Sequence, residues 1–224
     1  MRIFPERSRL PQPYVLYKAH KKGNSDFFDE LSLSYKDKKV LRQHVAQIAI
    51  SHQLDNQTTN IPEGERIKQL FVIEWQQSSD EQLLSYIEAF DQYFAGYVIF
   101  VISKPTGPKS YLIHYKEPLT QLRDNRKFKI IRRFETDGDL ILPLESRSLG
   151  HFYNDLVREV AAEPLLNQGT DIKQALAISD RLKQLEKEAT SLKKKMYTEK
   201  SMRKQMDYKK RYQQKLAEIN NLKI

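Results

Sequence analysis

The amino-acid sequence predicts a mixed α/β (α+β) domain in which a β-sheet of about four or five strands packs with helices. A basic helical tail follows, as a coiled coil or as a helical hairpin. Three observations predict this arrangement. Strand and helix patterns follow one another along residues 26–165, proline and glycine are absent after Gly169, and lysine and arginine concentrate in the last fifth of the chain.

The first 65 residues are predicted to form an irregular arm, a helix and a loop. The first 25 residues are predicted to form an irregular arm, because their prolines restrict regular structure. A helix is predicted from Ser34, whose side chain can cap it, to about Leu54. Its apolar face is spaced as in a helix: Val40, Leu41, Val45 and Ile48. Residues 55–65 contain Asn, Thr, Pro and Gly and are predicted to be a loop.

The middle of the chain carries most of the predicted sheet. Alternating apolar residues predict a strand over residues 67–75. Ser78 and Glu81 have the spacing of a capping box and predict the start of a helix. The apolar stripe of this helix is Leu83, Leu84, Ile87, Phe90 and Phe94. Further strands are predicted at residues 97–102, 110–115, 128–134 and 140–144.

One more helix completes the predicted domain. Ser148 is predicted to cap it, and its apolar stripe is Leu149, Phe152, Leu156 and Val160. The predicted globular domain therefore covers residues 26–165.

The basic helical tail covers residues 171–224. In the tail, apolar residues follow a heptad-like spacing: Leu182, Leu185, Ala189, Leu192 and Met196. The phase of this pattern changes after Met202. Either one long helix continues through a skip, or the helix breaks near residues 197–201 and folds back as a hairpin.

Charge is distributed unevenly along the 224 residues. The chain has 38 Lys and Arg against 29 Asp and Glu, a net charge of +9. Residues 181–224 hold 14 basic and 5 acidic residues, which leaves 24 of each sign in the first 180. The predicted domain is therefore neutral, and the tail is suited to a negatively charged partner.

Several protein classes are excluded by composition and motifs. The absence of Cys excludes disulfides, thiolate zinc sites and cysteine nucleophiles. The longest apolar run has six residues, whereas a membrane-spanning helix needs about 20. The N-terminal residues lack the apolar core of a secretory signal, so we expect a cytoplasmic protein with no membrane partner. Phosphate-binding glycine motifs and paired metal-binding histidines are also missing, so we expect neither a cofactor nor a metal site.

One group of carboxylates leaves an enzymatic alternative open. Restriction-like nucleases place an Asp before a strand and a Glu on it, and these carboxylates bind Mg²⁺ beside a residue that positions water. The corresponding candidates here are Asp55, Glu63, Glu65, Glu74 and Gln76. Mg²⁺ would be a cofactor only under this hypothesis. The competing interpretation is that Glu74 points outward from an alternating strand.

Basic residues form the second group of candidates. One cluster surrounds a predicted strand: Arg126, Lys127, Lys129, Arg132 and Arg133. The other lies in the tail: Lys193, Lys194, Lys195, Arg203, Lys204, Lys209, Lys210 and Arg211. Such clusters can neutralise the phosphates of DNA or RNA without reading sequence. They are equally typical of a solvated face, a protein-docking helix, or a tail through which the chain forms a homo-oligomer.

Short segments of the chain also resemble a known family. Residues 34–41, 70–75, 134–137, 152–162 and 182–222 together are similar to the bacterial domain of unknown function 4391 family, and residues 199–205 resemble its charged helical end. Proteins similar to this one tend to be encoded beside helicases and DNA methyltransferases, in restriction or anti-phage islands. The resemblance implies a role beside nucleic acid, with a helicase or methyltransferase as partner. Together with the basic tail and the missing catalytic motifs, it predicts a non-catalytic accessory subunit that docks on such a partner, on DNA, or on both through the tail. A divergent nuclease and a self-associating structural protein remain alternatives.

Overall fold

A computed structural model of the chain describes residues 3–20, 28–29, 31, 33–120, 125–162 and 171–223. The chain divides into two compact units, residues 1–162 and residues 163–224. After a short 3-10 turn at Glu6–Ser8, the elements are β1 (Arg9–Lys18), α1 (Tyr35–His44), β2 (Val45–Asp55), α2 (Asn56–Thr59), β3 (Gln69–Gln77), α3 (Leu84–Tyr93), β4 (Tyr97–Ser103), β5 (Ser110–Pro118), β6 (Phe128–Thr136), α4 (Leu149–Ala161), α5 (Ile172–Thr198) and α6 (Met202–Lys223).

The first unit contains a sheet in which the six strands lie in chain order, from β1 to β6. Neighbouring strands are antiparallel except β3 and β4, which are parallel. The parallel pair needs a crossover connection, and α3 supplies it. The prediction of a mixed sheet with helices is confirmed, although the sheet has six strands.

The core lies where β3, β4 and β5 cross the centre of the sheet. The interior of β4 is buried from Val98 to Ile102, as its continuous apolar sequence predicts. On one face, Trp75 and Phe100 pack with Ile87 and Phe90 of α3. The predicted stripe of α3 thus covers this face of the sheet.

Helix α4 packs against β3, β5 and β6. The Ser148 hydroxyl accepts a hydrogen bond from the backbone N–H of His151 at the start of α4, as predicted. Its predicted apolar stripe is buried: Leu149, Phe152, Leu156 and Val160. Burial of such a stripe, more than local propensity, stabilises a helix of this length.

The N-terminal segment differs from the prediction, because residues predicted as an irregular arm form the ten-residue edge strand β1. Pro11 and Pro13 lie within it. Proline is tolerated in an edge strand, where one side of the backbone has no ladder to complete. The pairing is correspondingly irregular: Arg9 lies opposite His52, and the next paired residue, Tyr14, lies opposite Ile50.

The predicted long helix also differs from the structure. The Ser34 cap is confirmed, but α1 ends at His44 and residues 45–55 form β2. Leu41, Val45 and Ile48 fit a helical stripe, although three of the eleven residues after His44 are β-branched. The position of β2 between β1 and β3 gives it two strand partners, and this tertiary environment decides its conformation.

Two smaller predictions are wrong. Residues 140–144 are not a strand, and α3 begins at Leu84 rather than at Ser78. Ser78 instead contacts the end of α1, since its N–H donates to the carbonyl of His44 and its hydroxyl donates to that of Gln43. The serine therefore satisfies carbonyls at a helix C-terminus instead of starting a new helix.

The second unit is a pair of antiparallel helices, α5 and α6. Arg181 lies 3.4 Å from Glu218, and Lys215 lies 3.2 Å from Glu188, so residues early in α5 face residues late in α6. The tail is therefore a hairpin and not a single rod. Within the described ranges, no helix is both long enough and apolar enough to cross a membrane.

Candidate nucleic-acid interface

The connection between α5 and α6 is a short turn fixed by hydrogen bonds. The N–H of Glu199 donates to the carbonyl of Lys195 at the end of α5. The Glu199 carboxylate accepts from the N–H groups of Lys200 and Ser201 at 3.0 and 3.1 Å. The carbonyl of Ser201 accepts from Gln205 in the first turn of α6. The sequence prediction of a break near residues 197–201 agrees with this geometry.

We call residues 171–189 and 212–223 the hairpin base. It holds the apolar core of the second unit: Leu182, Leu185, Ala189 and Ile219, with Ile178, Tyr212 and Leu222 packed around it. It carries six basic and five acidic residues. Charges also pair across the two helices, because Glu218 binds Arg181 and Lys215 binds Glu188. The hairpin base is thus electrically balanced and packed.

We call residues 190–211 the hairpin tip, and its charge is very different. It carries nine basic residues and two acidic ones. All nine basic residues are exposed: Lys193, Lys194, Lys195, Lys200, Arg203, Lys204, Lys209, Lys210 and Arg211. Arg211 pairs with Asp207 at 3.1 Å. The other eight make no ion pair with any residue that the structure describes.

The tip concentrates these charges in a small volume. The tip contains residues 190–198 of α5 and residues 202–211 of α6, and each of these segments is about 12 to 15 Å long at 1.5 Å per residue. Lys193, Lys194 and Lys195 are consecutive and therefore point in different directions around α5. Repulsion among neighbouring cations opposes folding, and among the described residues the Arg211–Asp207 contact is the one ion pair that the basic residues of the tip make. A polyanion at this surface would reduce such repulsion.

The tip also exposes large apolar side chains. Tyr197 is 73% exposed, Met202 is 74% exposed and Met206 is 59% exposed. These residues lie at the end of α5 and in the first turns of α6, next to the connecting turn. The apolar contacts that join the two helices in the base therefore do not extend over these three side chains.

The basic cluster on β6 is divided by the sheet. Arg132 lies opposite Tyr115 and Arg133 opposite His114, so their side chains point to opposite faces. Arg133 lies 3.7 Å from Glu88. Lys129 lies opposite Glu117, so an acidic side chain accompanies it.

The remaining members of that cluster lie just before the strand. Arg126 and Lys127 precede Phe128, and the N–H of Lys127 donates to the carbonyl of Gln92. The cluster that is continuous in sequence therefore does not form a single basic face. The tail cluster, in contrast, comes together in the hairpin tip.

The carboxylates predicted as a nuclease site occupy separate places. Asp55 caps α2 by accepting from the N–H of Thr58 at 2.9 Å, and it lies opposite Gln69. Glu74 lies five residues beyond Gln69 along β3, which is a distance of about 17 Å at 3.4 Å per residue. Glu63 pairs with Lys68 at 2.7 Å. Asp55 and Glu74 therefore cannot share a metal ion.

Glu74 lines a cleft of about 310 Å³ together with Ser51, His52, Lys109 and Tyr111. An irregularity in the β2–β3 pairing leaves Ser51 between paired residues. The Ser51 hydroxyl lies 2.9 Å from Nδ1 of His52. Burial lowers the pKa of His52, and the Glu74 carboxylate opposes this effect. The cleft holds polar groups but gathers no set of carboxylates.

The other two predicted residues lie apart from this cleft. Gln76 is on β3 beyond Glu74, opposite Gln47. Glu65 lines a second cleft of about 340 Å³, beside Arg66 and Lys116. Throughout the described part of the chain, no three His, Asp or Glu side chains form a group that could hold a metal ion.

A buried polar network was missed by the sequence interpretation. The Lys116 ammonium donates to the Asp91 carboxylate at 2.6 Å and to the carbonyl of Gly96 at 2.7 Å. Nδ1 of His114 lies 2.9 Å from the other Asp91 oxygen. Burial lowers the pKa of Lys116, and Asp91 opposes this shift. The signal in the sequence was Asp91 itself, four residues after Ile87 on the apolar stripe of α3.

Comparison with protein families places the chain. A family model described as "Domain of unknown function (DUF4391)" matches residues 5–219, nearly the whole chain, and thereby spans both units. The family resemblance carried by the short sequence segments is confirmed. No curated protein and no solved structure matches the chain.

Proposed function

The chain belongs to the DUF4391 family, and we propose that it is a non-catalytic accessory subunit of a nucleic-acid-processing system whose hairpin tip binds the phosphate backbone of DNA or RNA. One observation carries this proposal. Eight exposed basic residues of the tip have no ion-pair partner among the described residues, whereas the hairpin base carries nearly equal numbers of both charges.

The charge pattern supports a phosphate ligand. Seven of the nine basic residues in the tip are lysines, which act as compact point charges on flexible stems. Lysines that neutralise phosphates release counterions, so binding weakens steeply as salt rises and does not depend on base sequence. Such contacts position a protein on nucleic acid without specifying a site.

The partner proteins are proposed from the family resemblance. A helicase or a DNA methyltransferase of a restriction or anti-phage system would provide the chemistry, and this chain would bring a further nucleic-acid contact. The hairpin also bears on self-association. Leu182, Leu185 and Ala189 are buried in a core that includes Ile219 of the same chain, so this seam is already occupied. That arrangement favours a binding role over a self-assembling coiled coil.

The proposal is tested by changing the charge of the tip alone. A triple variant, Lys193→Gln, Lys194→Gln and Lys195→Gln, removes three cations but keeps good helix formers. A matched control changes the exposed Lys36, Lys39 and Lys109 of the first unit to Gln, with the same change in net charge. Binding of the full chain to labelled DNA and RNA is measured by fluorescence anisotropy between about 50 and 200 mM salt.

The tip variant is expected to bind more weakly, and its log–log salt slope is expected to fall by about 2 to 3, roughly 0.9 for each phosphate that is no longer neutralised. The control variant is expected to match the unmodified protein. Equal binding and equal salt slopes for the two variants would show that the tip does not contact phosphates.

A further inference from the structure

Tyr197 is the most informative apolar residue of the hairpin tip. It is the penultimate residue of α5, and its side chain is 73% exposed. It makes no ring contact or hydrogen bond with any described residue. Met202 opens α6 with 74% exposure, and Met206 lies one turn later with 59% exposure. A phosphate-binding surface alone has no need of these three side chains.

The position of Tyr197 relative to the lysines matters. Lys194 precedes it by three residues and Lys193 by four, so each of these lysines is a neighbour of Tyr197 on the surface of α5. One face therefore offers two cations and an aromatic ring within about one helical turn. That combination fits a ligand that presents a negative charge and a flat ring close together, as a nucleotide does.

We propose that the hairpin tip binds unpaired nucleotides, with Tyr197 stacked on an exposed base and the neighbouring lysines on the backbone phosphates; this inference rests on the proposed function. Base pairs in a duplex are stacked on each other and hide their faces, whereas unpaired bases are free to stack on an aromatic side chain. The thioethers of Met202 and Met206 can contact the same ring system, since sulfur interacts favourably with aromatic rings.

An anionic membrane surface is the competing ligand for a basic, partly apolar tip. A helix that lies in a membrane interface separates an apolar face from a charged face. Around α5 the exposed Tyr197 lies between Lys193 and Lys194, and the apolar Leu192 and Met196 are half-buried, so this part of the helix has no exposed apolar face separate from its charges. The geometry therefore favours nucleotides.

The test compares ligands and variants of the full chain. Affinities are measured by fluorescence anisotropy for an unstructured single strand and for a duplex of the same length, and binding to anionic phosphatidylserine vesicles is measured by co-sedimentation. The variants are Tyr197→Ala, Tyr197→Phe and the control Tyr35→Ala, which removes a tyrosine that is 81% exposed in α1.

Tyr197→Ala is expected to weaken single-strand binding about 5- to 150-fold, the range that stacking on one base supplies. Its salt slope is expected to stay unchanged, because every lysine that neutralises a phosphate is retained. Duplex binding is expected to stay unchanged, and Tyr197→Phe and Tyr35→Ala are expected to bind as the unmodified chain does.

The inference is overturned if Tyr197→Ala leaves single-strand binding intact, or weakens single-strand and duplex binding equally, while the lysine variant still loses affinity. In that case the proposed function survives. The proposed function itself is overturned if neither strand form binds in a salt-dependent manner, or if only the anionic vesicles bind.

Discussion

Asp91 and Lys116 form an ion pair in which both side chains are fully buried, with Nζ of Lys116 2.6 Å from Oδ1 of Asp91. The pair joins α3 to β5 and lies 25 residues apart in the chain. Desolvation of two charges is costly, and close contact with further hydrogen bonds is needed to offset it. Here the carbonyl of Gly96 and the ring of His114 provide those bonds.

Asp91→Asn is expected to lower the free energy of unfolding by about 3 to 5 kcal/mol, because Lys116 then remains buried without a counter-charge. Urea denaturation of the variant measures the change. The exposed Asp139→Asn is the control and is expected to change the free energy by less than about 0.5 kcal/mol. The double variant Asp91→Leu with Lys116→Met is expected to recover part of the loss, because it removes the unpaired charge but leaves the Gly96 carbonyl and the His114 ring without their partners. A double variant no better than Asp91→Asn would contradict this account.

His52 is expected to make stability depend on pH. Burial lowers the pKa of His52 below its ordinary value of 6.5, so the unfolded chain takes up this proton first as the pH falls. Acidification therefore favours the unfolded state. The contribution of neutral, buried His52 to the free energy of unfolding is fully present above about pH 6.5 and is lost progressively as the pH falls below that value. Urea denaturation between about pH 5 and pH 7 is expected to show a smaller loss for His52→Gln than for the unmodified chain.

The neighbour of His52 gives an independent check of the same prediction. Because Glu74 opposes the effect of burial, Glu74→Gln is expected to lower the pKa of His52 further. An NMR titration of the His52 ring measures this shift directly. A pKa of His52 above 6.5 in the unmodified chain would refute the assignment.

Ile219→Ala is expected to destabilise the hairpin by about 2 to 5 kcal/mol, because Ile219 is buried in the core of the hairpin base. Leu216→Ala on the same helix is the control, since Leu216 is 37% exposed. Amide hydrogen exchange in the full chain reports on α5 and α6 separately from the sheet. Equal loss of protection in the two variants would show that the core is not packed as described.

The elements that were predicted correctly from the sequence are those in which all local features, such as a cap and an apolar stripe, favour the same secondary structure. Ser148 and the apolar stripe of α4 agree with each other, and the interior of β4 is apolar on both faces. Segment β2 carried a misleading signal, because Val45 and Ile48 have helical spacing and reach the same core in a strand only through an irregularity in the β2–β3 pairing between Val45 and Gln47. Only the neighbouring strands, distant in sequence, select between these conformations.

The basic residues of the candidate interface could be predicted from the sequence, but their ion pairs with acidic side chains could not. The lysines of the tip other than Lys200 were recognised from the sequence, as were the basic residues around β6. Sequence alone could not show that Arg133 meets Glu88, or that Lys215 meets Glu188 across the hairpin, whereas Lys193 to Lys195 meet no acid in the described residues. These pairings depend on elements that the fold brings together.

Both outer strands of the sheet are irregular, and this has a consequence for association. In β1 the pairing is interrupted between Arg9 and Tyr14, a segment that contains two prolines. In β6 the register shifts at Ile131, and charged residues flank the shift. Irregular, proline-containing or charged edges are poor templates for a further strand. The sheet is therefore protected against edge-to-edge aggregation, even though the centre of the domain is among the most apolar parts of the chain.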